Sequence, residues 1–234
     1  MTPFVSEFVG TAMLILFGNG VVANVLLHKT KGNGSGWIVI TFGWAIAVFI
    51  GVYTAVASGA HLNPAVTIAD AVVSGNWNKI LVYIPAQMLG AMLGTTLVWV
   101  AYKQHFDATT DADLQLAAFC NSPAIKSNIH NFITEVVITF GYMFAVLMLS
   151  NSKSSVELGP LSALPVALIV LGVGLCFGGP TGYAINPARD LGPRIMHFLL
   201  PIKNKRDSDW AYSWIPVLGP IVGAVLAALL YKLL

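Results

Sequence analysis

The chain has 234 residues, of which 56% are hydrophobic and 9% charged, against about 25% charged residues in a soluble domain. With a mean hydropathy of +0.76, it reads as an integral membrane protein. Its formal charge of +2 comes from 12 basic and 10 acidic residues spread along the chain, which excludes a nucleic-acid partner, since such proteins concentrate basic charge in patches.

A helical bilayer crossing needs about 20 apolar residues. That criterion predicts six crossings, over 4–27, 37–57, 80–102, 131–149, 161–179 and 211–233. The start, Met1-Thr2-Pro3-Phe4, has no basic region or small-residue cleavage site, so the first apolar run reads as a crossing rather than a signal peptide. Two shorter apolar segments remain, 64–74 and 187–200. At 1.5 Å per residue the first of these spans about 16 Å as a helix, roughly half of a hydrocarbon core about 30 Å thick.

One tripeptide recurs within this pattern. Asn63, Pro64 and Ala65 lie in Ser58-Gly59-Ala60-His61-Leu62-Asn63-Pro64-Ala65-Val66-Thr67, and Asn186, Pro187 and Ala188 lie in Thr181-Gly182-Tyr183-Ala184-Ile185-Asn186-Pro187-Ala188-Arg189-Asp190. Asn at the N-cap followed by Pro at the first helical position is a helix start. Each start opens into one of the two short segments, so both read as re-entrant half-helices that begin deep in the membrane and return to its surface. A helix beginning in hydrocarbon leaves unpaired N–H groups, tolerated only where protein or a water-filled cavity satisfies them. The repeat therefore implies a pore.

The duplication extends beyond the tripeptides. Ser6-Glu7-Phe8-Val9-Gly10-Thr11 opens the first crossing and Thr134-Glu135-Val136-Val137-Ile138-Thr139 the fourth, each placing one carboxylate in an apolar run. Three crossings separate the two half-helices, an odd number, so they enter from opposite faces. The expected architecture is an all-α membrane protein with six transmembrane helices plus two re-entrant half-helices in an inverted repeat. Residues 1–234 form one channel domain, with repeats over about 4–102 and 131–234.

Each helix start carries about half a positive elementary charge, and two facing each other oppose cations. If the carboxamide oxygens of Asn63 and Asn186 cap their own helices, their NH2 groups stay free to point into the lumen. A passing water or hydroxyl must then accept, which interrupts the water chain that conducts protons.

The two Asn-Pro-Ala segments, the second continuing through Leu191-Gly192-Pro193-Arg194, resemble the aquaporin or major intrinsic protein family, specifically its glycerol facilitator (aquaglyceroporin) branch, and the resemblance covers nearly the whole length. It implies the aquaporin fold and a homotetramer with one pore per subunit. It further implies a passive channel for glycerol and other small uncharged solutes, with some water permeability, that excludes ions and protons. Asp190 directly after Arg189 is similar to the glycerol-conducting branch, as is Pro216-Val217 ahead of Gly219-Pro220-Ile221-Val222-Gly223-Ala224. The solutes implied are glycerol and water, with urea, dihydroxyacetone and protonated lactic acid as further candidates. The lipid bilayer is the other partner, and the setting is a multi-pass protein of a bacterial cell (plasma) membrane. The alternatives are a water-selective aquaporin and, from another class, a structural or adhesive membrane protein or a gated ion channel on the same scaffold.

Arg189 is the sharpest residue after the two asparagines. An intramembrane guanidinium is expensive and by default functional, and Arg189 lies three residues past Asn186 on one face of the half-helix. There its fixed donors would bind solute hydroxyls and its charge would repel cations; the alternative is a structural pair with Asp190. By the resemblance Arg189 belongs to a narrow aromatic and arginine filter. Tyr183 matches a position that is usually Phe, which adds a hydroxyl to the wall, and Gly174 matches a small residue that widens the pore. The filter tryptophan falls in register on Gly43, next to Trp44; a one-residue deletion within Tyr53 to Ser58 restores Trp44, the expected member.

Glu7 and Glu135 read as buried acceptors holding the re-entrant loops, because an unpaired carboxylate in lipid is costly, with a proton relay as the alternative. His61 reads as loop support exposing a ring nitrogen near the inner vestibule, with a pH gate as the alternative. His28, His105, His130 and His197 show no ligand spacing, and neither do Cys120 and Cys176, which read as free thiols. No metal and no cofactor is expected. Without a nucleophile beside a base or a nucleotide-binding glycine motif, enzymatic activity is not expected either. The resemblance places both termini in the cytoplasm, which puts Lys79, Lys153 and Lys232 inside and Lys29, Lys31, Lys103, Lys126, Lys203, Lys205 and Arg206 outside. The positive-inside tendency favours the opposite insertion; the two-asparagine match is the more specific signal and sets the expected orientation.

Overall fold

The computed structural model describes residues 1–150 and 159–234; Lys153 lies outside them. Among the described residues six helices are long and apolar enough to cross a bilayer: α1 (Pro3–Leu26), α2 (Trp37–Thr54), α4 (Ile80–Ala101), α7 (Asn128–Ser150), α8 (Leu164–Thr181) and α10 (Ile215–Leu233). The half-helices are α3 (Pro64–Ser74) and α9 (Pro187–Leu199), each opening on its Asn-Pro pair. Two short helices, α5 (Lys103–Ala108) and α6 (Ala112–Ala117), occupy the polar segment between α4 and α7, where the hydropathy pattern predicts none.

Packing follows an inverted repeat. α1 packs on α2 and α4, and α7 packs on α8 and α10. Each half-helix crosses to the other repeat, α3 against α10 and α9 against α4, while α2 meets α8. Close approach in the two four-helix units rests on matched glycines. A Cβ at Gly90 or Gly94 of α4 would strike α1 backbone, and one at Gly223 of α10 would strike α7 backbone, with Gly219 abutting the Glu135 Cβ. In hydrocarbon no hydrophobic effect drives helices together, so such small-residue contacts and interhelical hydrogen bonds do it instead.

The buried side chains form two clusters. One surrounds the pore and includes Leu14, Trp44, Val48, Tyr142, Val170 and Tyr183. The other lies under a cap on one face, where Phe106, Leu116 and Phe119 pack against Leu27, Leu200 and Ile202. The cap holds four of the seven basic residues that disfavour the expected orientation. Lys103 pairs with Asp107, Lys126 with Asp209 and Arg206 with Asp113. The Lys205 ammonium donates to the carbonyls of His197, Phe198 and Leu200, closing the C-terminal end of α9, a favourable place for a cation. Burial lowers the Lys205 pKa, and the hydrogen bond to Asp113 raises that of Arg206. These cations are structural parts of a folded cap, not flexible loop charges.

Candidate functional site

The two loops that precede the half-helices take matched paths. Positive φ occurs at Ala60 (53°) and Leu62 (54°) in the first and at Tyr183 (42°) and Ile185 (45°) in the second. Left-handed backbone at non-glycine residues costs about 1–3 kcal/mol each and persists only where surroundings enforce it. Two buried carboxylates do so. Glu7 Oε1 accepts the His61 N–H at 2.9 Å and the Ser58 hydroxyl at 2.6 Å, while Oε2 accepts the Leu62 N–H at 2.7 Å and the Gln87 amide at 2.8 Å. Glu135 accepts the N–H groups of Ala184 at 3.0 Å and Ile185 at 3.2 Å. Both thus sit where buried loop acceptors are required, and each finds backbone donors.

Asn63 and Asn186 close the loops. The Asn63 Oδ1 accepts the Ala65 N–H at 2.9 Å, and the Asn186 Oδ1 accepts those of Ala188 at 3.0 Å and Arg189 at 3.2 Å. Pro64 and Pro187 occupy the first helical positions, and Ala65 and Ala188 are fully buried between the half-helices. The NH2 groups are not wholly free, contrary to the sequence-based expectation. Asn63 Nδ2 donates to the Ile185 carbonyl at 2.9 Å and Asn186 Nδ2 to the Leu62 carbonyl at 2.8 Å. The carbonyls come from the opposite loop, so the asparagines tie the two repeats together and each keeps one N–H.

A cavity of about 430 Å³ runs past these groups. It is lined by both loops, by Arg189 and Trp44 at one end, and by Asp70, Ser150 and Tyr231 at the other. The Arg189 guanidinium lies over the Trp44 ring, 4.3 Å from its centroid, within cation–π range. It does not pair with Asp190, and among the described residues it hydrogen-bonds no protein group. Asp190 instead receives the Asn121 N–H at 2.7 Å and pairs with fully buried Arg194 at 2.8 Å. Arg194 also donates to the carbonyls of Asn121, Ser208 and Asp209, so this pair anchors the cap.

The structure distinguishes the two tryptophan registers. Trp44 lines the cavity, its ring seated against Gly18, whereas Gly43 faces Val21 of α1. Gly174 is not on the cavity. A Cβ there would lie 2.9 Å from Tyr183 Cζ, so the missing side chain makes room for the Tyr183 ring, which meets Trp37 edge-on at 5.9 Å. The Tyr183 hydroxyl is turned into this packing and is buried without a partner. The hydroxyl expected on the wall thus lies against Gly174. His61 lines the cavity with its Nδ1 3.1 Å from the Thr67 hydroxyl and its ring 4.9 Å from that of Tyr83. Among the described residues no cluster of His, Cys, Asp or Glu could hold a metal ion.

Sequence reasoning missed Gln87, Ser58 and Tyr83, which complete the Glu7 side of the first loop. A glutamine inside an apolar crossing was the available signal, since polar groups at that depth need a stated partner. It also missed Asn121, whose position in a polar segment carries none.

The family model described as "Major intrinsic protein" matches residues 1–231. The chain belongs to the major intrinsic protein family. This major intrinsic protein is 51% identical to the glycerol uptake facilitator protein of Streptococcus pneumoniae, covering 100% of this chain and 99% of that one. It is 50% identical to the probable glycerol uptake facilitator protein of Thermotoga maritima, over 99% of both chains. It is also 39% identical to the D/L-lactic acid transporter of Lactiplantibacillus plantarum, over 96% of this chain and 94% of that one. Among solved structures, the aquaglyceroporin of Plasmodium falciparum superposes with a TM-score of 0.86 at 34% identity, over 98% of this chain and 94% of that one. The full-length match accounts for the aquaporin fold described above: six crossings and two half-helices meeting at their asparagines.

Proposed function

We propose that the chain is a passive channel for glycerol and similar small uncharged solutes, with some water permeability. The observation that carries this reading is the meeting of Arg189 and Trp44 on the cavity wall, where the guanidinium lies over the indole and Tyr183 lines the same lumen. Such a wedge is amphipathic. Its aromatic faces suit the CH backbone of a polyol, and the guanidinium supplies fixed donors to hydroxyl oxygens. Further in, the carboxylates hold the loop N–H groups, which leaves loop carbonyls to accept solute O–H donors. Asn63 and Asn186 offer one N–H each, and the opposed half-helix starts exclude cations and protons. The same groups suit water, urea, dihydroxyacetone and protonated lactic acid. The similarity to relatives named for glycerol uptake selects glycerol first, and that to a lactic acid transporter supports testing the neutral acid.

By the same family reasoning the protein spans a bacterial cell membrane with cytoplasmic termini and assembles as a homotetramer. Exposed apolar side chains such as Ile38, Leu81 and Ile129 supply the surface for lipid and for neighbouring subunits. The test is light scattering in a stopped-flow instrument on proteoliposomes, with water, glycerol, urea and lactic acid at low pH as solutes. Glycerol should cross much faster than in protein-free vesicles, and flux at the protein-free level would overturn the reading.

A further inference from the structure

Glu7 and Glu135 mark matching positions on α1 and α7, and seven residues beyond each a side chain reaches the same cavity: Leu14 in one case, Tyr142 in the other. Seven residues are two helical turns, about 10 Å, which carries both side chains from the loops to the depth of the asparagines. Leu14 offers only methyl groups. Tyr142 is 7% exposed, lines the same cavity as the Asn63 carboxamide, and its hydroxyl, unlike that of Tyr183, is not a sealed group without a partner among the described residues.

The surroundings give this hydroxyl a task. Around it the helices contribute aliphatic walls, including Val48, Met143, Val146 and Val170. A polyol that has shed water must find partners there, because an unpaired hydroxyl in apolar surroundings is costly. Asn63 spends its Oδ1 on the Ala65 N–H and one amide N–H on the Ile185 carbonyl, and loop carbonyls only accept, whereas a phenol both donates and accepts. We propose that Tyr142 is a specificity-determining residue, a second hydroxyl-binding point at the asparagine pair that receives a polyol leaving Arg189. This inference rests on the reading of the chain as a polyol channel. Water does not need the phenol, since neighbouring waters in the file supply its hydrogen bonds.

The test measures the ratio of glycerol to water permeability in proteoliposomes of the wild type and two variants. The ratio is taken within one vesicle preparation, so a misfolded fraction cancels. Tyr142→Phe keeps the ring and removes the hydroxyl; the ratio should fall about fivefold, as expected for one lost hydrogen bond. Tyr142→Leu copies the mirror position, serves if the phenylalanine variant does not fold, and should lower the ratio at least as much. A wild-type ratio in the folded variant overturns the inference for Tyr142 and leaves the channel reading standing. Glycerol flux at background in the wild type sinks the channel reading itself.

Discussion

Gly59 to Asn63 and Gly182 to Asn186 follow one backbone design, with left-handed residues at matched places, a carboxylate behind each loop and an asparagine closing each helix. What the two present to the cavity differs. Ala60 in the first loop corresponds to Tyr183 in the second, Val66 to Arg189, and on the supporting helices Leu14 to Tyr142, all of them lining the pore. The shared backbone places two helix starts head to head, which serves exclusion of cations. At these three matched positions the second repeat presents polar and aromatic side chains and the first aliphatic ones, a difference that bears on choice of solute in the proposed channel. In the proposed channel, exclusion then rests on the shared helix starts with the Arg189 charge added to them, and selection on the unshared side chains.

Variants can separate the two. The largest effect should come from the carboxylates, because they support the strained backbone. Glu7→Leu strands the N–H groups of His61 and Leu62 and one of Gln87, the Ser58 hydroxyl keeping the Ala55 carbonyl, while Glu135→Leu strands two loop N–H groups; at about 1–3 kcal/mol for each stranded donor, the first should cost more stability than the second. Yield of monodisperse protein and unfolding temperature in detergent would show the order, and equal losses would mean that the loops are not held as described. Next comes Arg189→Val, which gives the second half-helix the residue of the first. Its side chain hydrogen-bonds no described protein group, so the fold should survive, while proton or cation leak through vesicles should rise roughly tenfold, the equivalent of about 1.4 kcal/mol of barrier. Unchanged leak and solute preference would remove Arg189 from selection. The smallest effect belongs to Tyr183→Phe. Its hydroxyl is buried without a partner and turned from the cavity, so glycerol permeability should stay within about twofold and stability should hold or rise slightly. A larger loss of flux would show that the phenol swings into the lumen.

Most of the fold was legible because its signals are local. Apolar length marks crossings, and Asn-Pro after small residues marks helix starts; α3 and α9 begin where those residues place them. The parity of crossings between them then fixes their opposition without any knowledge of packing. The site was legible in part. Trp44 follows from register once a deletion is allowed, and its stacking with Arg189 is a tertiary fact that no spacing states. Gly174 and Tyr183 were read as two separate wall positions, but one is the hole into which the other fits. The amide groups of Asn63 and Asn186 were assigned to the lumen, whereas each spends a donor on the opposite loop, more than 120 residues away in sequence. α5 and α6 escaped notice because short helices packed under a polar cap lack the length that marks a crossing.

In the proposed channel, opposed asparagine caps and an amphipathic wall conduct hydroxylated neutral solutes without conducting charge. The most direct measurement records glycerol permeability and proton conductance on the same wild-type proteoliposomes, the second with a pH-sensitive dye in the lumen. Glycerol flux should be far above that of protein-free vesicles, with proton leak no greater than theirs. Glycerol flux at the protein-free level, or glycerol flux accompanied by a matching proton leak, would contradict this reading.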